Sequence, residues 1–305
     1  MVAPEEYWLA KLRHLKVDVS TGDPAPHKPL LLLCVIEMVE QGLLTEPKMT
    51  RSAELLLRFQ SYWCIVAHRR SARPDIRLPF HHLSNDGLWN PFTADGRPSP
   101  NRDITDYCII EESLYALLFQ PAFRTAARAV LVATYFPTEE QVGLCTLTGL
   151  VWDALKLQPL RLPDSILSES TKQGRDARFR ITIVSGYQFT CALTGHCVMS
   201  PSGAGMVEAA HIHDFAKSRN NEADNGLALC PNAHWMFDEG LWSISDDLRV
   251  LATEVSYHES SPAGETLRMR HGKPLFFEPR SRLRPNPKHL AWHRENILLK
   301  NVASA

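Results

Sequence analysis

The sequence predicts an α+β chain of two domains. A mainly helical N-terminal domain is expected over residues 1–140, a linker over 141–175, and a C-terminal domain over 176–305 organised as strand, loop, strand, helix. Three observations carry this expectation. The chain has 305 residues, enough for two separate cores. Apolar residues recur at helical spacing through most of the first 135 positions. In the second half, the short apolar runs MVEAAHI and NGLALC flank a polar loop of about His213 to Asp224, and Pro231-Asn232 then opens a helix that Gly240 can stop.

In chain order, PEEYWLAKLRHLK sets Tyr7, Trp8, Leu12 and Leu15 on one face of an amphipathic helix. HKPLLLLCVIEMVEQG is apolar on most faces, with Pro29 near its first turn and Gly42 at its end, so it reads as the buried centre of a helical domain. SAELLLRFQSYWCIVAHRR is a third helix that carries His68, Arg69 and Arg70 to its end. LPFHHLSNDGLWNPF is turn-rich and aromatic. Ser113–Gln120 and Phe123–Tyr135 supply further helices. Residues 138–175 mix prolines and serines with short apolar pieces such as LVWDAL, the composition of a linker. Phe179–Tyr187 is expected as a helix packing on the C-terminal core, and Leu241–Val250 alternates as one or two short strands.

Composition excludes several classes. Lys and Arg number 33 against 34 Asp and Glu, so net charge is −1 and no global basic character announces a polyanion partner. Local patches matter more, and residues 268–300 hold Arg268, Arg270, Lys273, Arg280, Arg282, Arg284, Lys288, Arg294 and Lys300, a candidate backbone-contacting surface. The longest apolar run, Leu30–Ile36, is too short for a membrane span, so no membrane partner is expected. Glu5, Glu6 and Asp18 interrupt any signal-peptide pattern, which leaves the cytoplasm as the expected compartment. Seven scattered cysteines argue against a disulfide framework.

Within Val207–Gly240, His211, Asn225 and His234 combine residue types that phosphodiester hydrolysis needs. The reaction requires a base for water and a cation for the charge building on phosphate and leaving oxygen. His211, at the exit of the first strand, can be the base, since a histidine pKa of about 6.5 suits neutral pH. His234 and Asp238 lie four apart on the expected helix and can hold one metal. Asn225 is neutral and can pin the loop that aims His211.

These residues resemble the HNH endonucleases, the ββα-metal nucleases. The matching residues are Ala209-Ala210-His211-Ile212, Asn225-Gly226-Leu227, and His234 with Phe237-Asp238 and Gly240. The resemblance runs from about Phe179 to Leu299. It implies metal-dependent DNA cleavage with His211 as general base and His234 as metal ligand, the ion being Mg or Mn, with Ni or Co as alternatives. One position departs from the family: Ala210 stands where many members carry a metal-binding Asp or His. Glu208, His213, Asp214 or Asp238 must then complete the coordination, and helical spacing from His234 favours Asp238. Many relatives also bind structural zinc through two C-x-x-C pairs. Here both pairs are broken, at Thr194 after Cys191 and at Ala233 after Cys230. Cys191, Cys197, Cys230 and His196 remain candidates for a zinc site, but buried free thiols are the favoured reading.

The N-terminal half resembles the sulfur-binding domain of phosphorothioate-dependent, modification-sensing (type IV) restriction endonucleases over about residues 5–140. The carrying residues are Pro26-His27-Lys28-Pro29 with Leu30–Leu33, Leu78-Pro79-Phe80-His81-His82-Leu83 with Gly87-Leu88-Trp89, and Thr134-Tyr135-Phe136-Pro137. Sulfur is larger, softer and less hydrated than the oxygen it replaces, so an apolar pocket welcomes it and penalises normal phosphate. Leu78, Pro79, Phe80 and His82 could wall such a pocket. His27, Lys28, the arginines at 69–77 (Arg73 and Arg77 among them) and Arg102 could hold the backbone. The family usually has an aromatic residue at position 78 and a small one at 82, which leaves the pocket wall open. Together the halves describe an endonuclease that binds phosphorothioate-modified double-stranded DNA and cuts nearby, as a homodimer because two strands must be cut. The alternatives are an HNH nuclease reading another modification such as methylcytosine, and a DNA-binding protein that has lost catalysis.

Overall fold

The computed structural model describes residues 3–20, 22–69, 74–151, 164–200, 203–261, 266–279, 281 and 283–299. Arg70, Arg73, Pro159, Pro163, Arg280, Arg282, Lys300 and most of the LVWDAL segment lie outside the described residues. The chain divides into two compact units, residues 1–178 and 179–305. Both are of the α+β class expected. No helix among the described residues is long and apolar enough to cross a membrane.

In the first unit, α1 (Pro4–Arg13) buries Trp8 and Leu12. Helix α2 (His27–Glu40) is buried almost all round, as its sequence demands, with Leu30, Leu31, Leu33 and Cys34 fully enclosed. It packs on α3 (Ala53–Val66) and α6 (Pro121–Tyr135). Ser52 caps α3 by accepting from the Leu55 amide. Charges drawn into this core are paired: Arg58 with Glu37 and Glu54, Arg128 with Glu40.

A three-stranded antiparallel sheet, β1 (Lys48–Thr50), β2 (Trp89–Phe92) and β3 (Tyr107–Ile110) in the order β1-β3-β2, was not expected. Its strands span three or four residues, too short for alternation to show. Between β1 and β2 lies α4 (Arg77–His82), in the segment expected only as turn-rich. Helices α5 (Glu112–Leu118) and α6 match the expected pair.

The segment expected as a linker instead carries α7 (Thr138–Thr148) and the start of α8 (Asp164–Gly186). Its glycines are packing residues rather than breakers. A Cβ on Gly174 would lie 2.3 Å from the Gly143 carbonyl oxygen, so two helices cross backbone to backbone there. Ser170 Oγ accepts from the Gly143 amide at 2.9 Å.

The second unit begins within α8, at Phe179. Strands β4 (Glu208–His211) and β5 (Gly226–Leu229) pair antiparallel with His211 opposite Gly226. The connecting loop holds one helical turn, α9 (Phe215–Ser218). Helix α10 (Pro231–Asp238) follows, with proline in its first turn where no amide partner is lost. The hairpin β6 (Trp242–Ile244) and β7 (Val250–Ala252) comes next, then α11 (Leu267–Arg270) and α12 (Pro287–Asn296). Gly240 ends the α10 region at φ +70°, where the Ile297 carbonyl oxygen sits 2.1 Å from where a Cβ would be. Only glycine meets both conditions.

Candidate active site and sulfur pocket

The hairpin β4–β5 and helix α10 converge on a cleft of about 370 Å³ lined by His211, Asp214, Phe215, His234, Asp238 and Trp292 among others. His211 closes β4. The chain just beyond it is held by Asn225, which is fully buried. Asn225 Oδ1 accepts from the His213 amide at 2.8 Å, and its Nδ2 donates to the carbonyls of His213 and Asn220, both at 3.0 Å. The Ile212 amide donates to the Asn225 carbonyl at 3.0 Å. A buried amide this well satisfied is a clip, and losing it would leave several groups without partners.

Two further contacts fix the His211 ring. Its Nε2 lies 2.7 Å from Asn221 Oδ1. Phe179 stacks on it at 4.1 Å between centroids, with the planes 5° apart. Gly226 permits that stack: a Cβ there would lie 2.8 Å from the Phe179 ring and 2.4 Å from Ile183.

His234 and Asp238 share a face of α10, with His234 Nε2 3.5 Å from Asp238 Oδ2. The other nitrogen, Nδ1, lies 3.1 Å from Glu208 Oε2. A carboxylate on Nδ1 fixes the tautomer that leaves the Nε2 lone pair toward Asp238. Partial desolvation raises the Asp238 carboxyl above its ordinary range, with Asp214 and Glu239 adding and His234 opposing. An ionised Asp238 is therefore poorly hydrated in the cleft, and a cation there would stabilise it. Among the residues weighed as completing the coordination, Glu208 contacts the far nitrogen of His234, Asp214 lines the cleft, and His213 stacks on Trp292 at 3.9 Å.

In the first unit, a pocket of about 220 Å³ is lined by His27, Lys28, Leu78, Pro79 and His82, with Lys16, Val17, Asp18 and Ala25. Phe80, expected in this wall, is instead fully buried in the core. The reason is the helix. Ile76, Phe80 and Leu83 fall at i, i+4 and i+7 on the face turned to the core, Leu78 and His82 fall on the other side, and Pro79 lies between them, largely buried but still reaching the pocket lining. Trp89 Nε1 donates to the Phe80 carbonyl at 2.8 Å and locks that orientation. Lys28 Nζ bonds Asp86 at 2.6 Å and the Lys16 carbonyl at 2.8 Å. His27 packs against Trp63 at 4.7 Å. Arg77 and Arg102 lie outside the pocket lining: Arg77 pairs with Asp75 and Asp103, and Arg102 approaches Asp103 at 3.9 Å. Arg73 is outside the described residues.

Comparison with known families agrees with this division. A ScoMcrA-like DNA sulfur-binding domain matches residues 5–152, and an HNH endonuclease matches residues 191–245. The chain joins a DNA sulfur-binding domain to an HNH endonuclease domain. Among solved structures, the modification-dependent TagI restriction endonuclease is 25% identical over 40% of this chain and 39% of its own, with a TM-score of 0.31. The sulfur-binding domain of SprMcrA in complex with phosphorothioated DNA is 21% identical over 49% of this chain and 96% of its own, at 0.40. The type IV phosphorothioation-dependent restriction endonuclease ScoMcrA is 14% identical over 75% of this chain and 94% of its own, at 0.29. No curated protein matches the sequence.

HNH domains use a divalent metal, and the donors in this HNH domain fit one. Among the described residues no three His, Cys, Asp or Glu side chains form a ready-made cage. Two donors on one helix face suit a hard ion that keeps waters and takes the rest of its shell from phosphate. Cys191 and Cys230 are buried with their sulfurs 3.7 Å apart, and the hydrogen bond between them lowers the Cys191 thiol pKa to about 5. Cys197 is exposed. Asn221 and Trp292 in the HNH domain, and Lys16 to Asp18 in the sulfur-binding domain, escaped sequence reasoning. They sit in loops or far along the chain, where spacing carries no signal.

Proposed function

We propose that this chain is a phosphorothioate-dependent DNA endonuclease. The observation that carries the reading is the meeting of Leu78, Pro79 and His82 with His27 and Lys28 around one pocket of a DNA sulfur-binding domain. The walls of that pocket supply aliphatic and ring surface, which favours sulfur over the better hydrated oxygen. Lys28 is already neutralised by Asp86, so the pocket does not grip every phosphate alike. His27, Arg77 and Arg102, with Arg73, are the backbone-contacting groups of this reading.

In the HNH domain, His211 removes the proton from the attacking water. Asn225 holds the strand exit so that the imidazole keeps its aim. His234 and Asp238 hold a divalent ion, Mg²⁺ or Mn²⁺, which when bound neutralises charge developing on the phosphate and leaving oxygen. Glu208 steadies His234 from behind. Two strands must be cut, so the active form in this reading is a homodimer acting in the cytoplasm, where its DNA lies. The domain division of the reading is sulfur recognition in residues 1–140 and cleavage in residues 176–305.

A gel shift of the full chain tests the first half, using one duplex with and without a single phosphorothioate. The expected result is a gain of about tenfold or more with sulfur, or ~1.4 kcal/mol. Equal binding of both duplexes would end the sulfur reading. Plasmid nicking tests the second half: it is expected with Mn²⁺ and lost with EDTA, while sulfur-dependent binding persists.

A further inference from the structure

Three features around His211 belong to no motif. Asn221 Oδ1 lies 2.7 Å from its Nε2, Phe179 covers one face, and Phe215 approaches at 5.6 Å. Asn221 is itself built in. Asn225 Nδ2 holds the carbonyl of Asn220 at 3.0 Å, and Asn220 Oδ1 accepts from the Glu222 amide at 2.7 Å. The residues on both sides of Asn221 are therefore tied down. Phe179 comes from α8, outside the matched HNH residues 191–245. It reaches the ring only because Gly226, directly opposite His211 in the β4–β5 register, lacks a side chain.

We propose that Asn221 is a positioning residue that fixes the tautomer of His211, with Phe179 holding the ring in the plane where that bond forms. An amide oxygen can only accept. It therefore selects the imidazole with its proton on Nε2, and leaves Nδ1 with the lone pair that a base needs. A neutral histidine without such a partner divides between two tautomers, and one of them presents a donor where an acceptor is required. Asn225 has a different task. It shapes the backbone and bonds no atom of the His211 ring among the hydrogen bonds described. The clip and the tautomer selector are thus separate asparagines four positions apart. This inference rests on His211 being the base.

Long-range ¹⁵N–¹H correlation of the histidine rings in metal-free full-length protein reads the tautomer directly. It is recorded at about pH 8, well above the ordinary histidine pKa of about 6.5. Signals of His211 are identified by their loss in His211→Gln. We expect the Nε2–H form in the wild type and in Asn221→Asp, which keeps an oxygen acceptor, and a mixture of tautomers in Asn221→Leu. With Mn²⁺ and a phosphorothioate duplex, Asn221→Leu is expected to lose about 100-fold in kcat with KM within about twofold. Asn221→Asp is expected to stay within about tenfold of wild type. An Nδ1–H tautomer in the wild type overturns the assignment without any variant. So does an Asn221→Leu protein with wild-type tautomer and kcat. Full cleavage by His211→Ala would instead remove the base reading, an outcome distinct from either.

Discussion

In the sulfur-binding domain, Val17, Ala25, Leu78 and Pro79 wall a pocket in which the Lys28 charge is already taken up by Asp86. In the HNH domain, His211, Asp214, His234 and Asp238 face one cleft, and partial burial pushes the Asp238 carboxyl upward. The first surface is close to neutral and half apolar. The second gathers two imidazoles and two carboxyl groups, side chains that can carry charge. Discrimination between sulfur and oxygen depends on hydration, so it needs a site with little charge. Cleavage depends on charge that appears during the reaction, so it needs groups that respond to charge. Each domain would perform the other's task badly. That contrast is a physical reason for two domains in one chain.

The contrast breaks most visibly at His211. His211→Ala is expected to lower plasmid cleavage by about 10²–10⁴-fold while sulfur-dependent gel shifts stay unchanged. A parallel loss of binding would mean that the two tasks are not separated.

The HNH domain also contains a histidine that should not act as a base, and pH distinguishes it. His293 is 2% exposed, stacked on Phe237 at 3.7 Å and bonded to Ser243 at 2.9 Å, and burial lowers its pKa to about 4. Between pH ~6.5 and ~4 the unfolded chain binds a proton at this position and the folded chain does not. Stability should therefore fall as pH drops through that window, by about 3 kcal/mol in all, and level off below it. Denaturant unfolding across that range measures the loss. His293→Leu should flatten this part of the profile, and an unchanged slope would deny the assignment.

The smallest effect is expected in the sulfur pocket. Leu78→Ser should weaken binding of phosphorothioate duplex by about tenfold, the cost of one wetted wall, and leave binding to unmodified duplex nearly unchanged. Equal weakening of both would show Leu78 to be a general contact rather than a discriminating one.

Much of this was legible in the residues. Helices α2, α3 and α6 carry their burial in their apolar spacing, and β4, β5 and α10 were bounded by the turn and helix-start residues around them. The three-stranded sheet was not legible, because three-residue strands have no period to read. Helix α7 and the start of α8 were hidden by the prolines and serines of residues 138–175, whose composition reads as a linker, although Gly143 and Gly174 let the two helices pack closely there.

By itself, the sequence determined which chemical groups are present and which local elements carry them, because apolar period and i to i+4 spacing are properties of neighbours along the chain. It set His234 and Asp238 on one helix face and put Pro79 beside Leu78. Only the tertiary structure decided that Phe80 turns inward and His82 outward, that Asn221 reaches the imidazole ten residues before it, and that Phe179 covers the same ring. Those outcomes depend on which surfaces exclude water together and on where a missing side chain lets two backbones approach. Neither is encoded in any short stretch of residues.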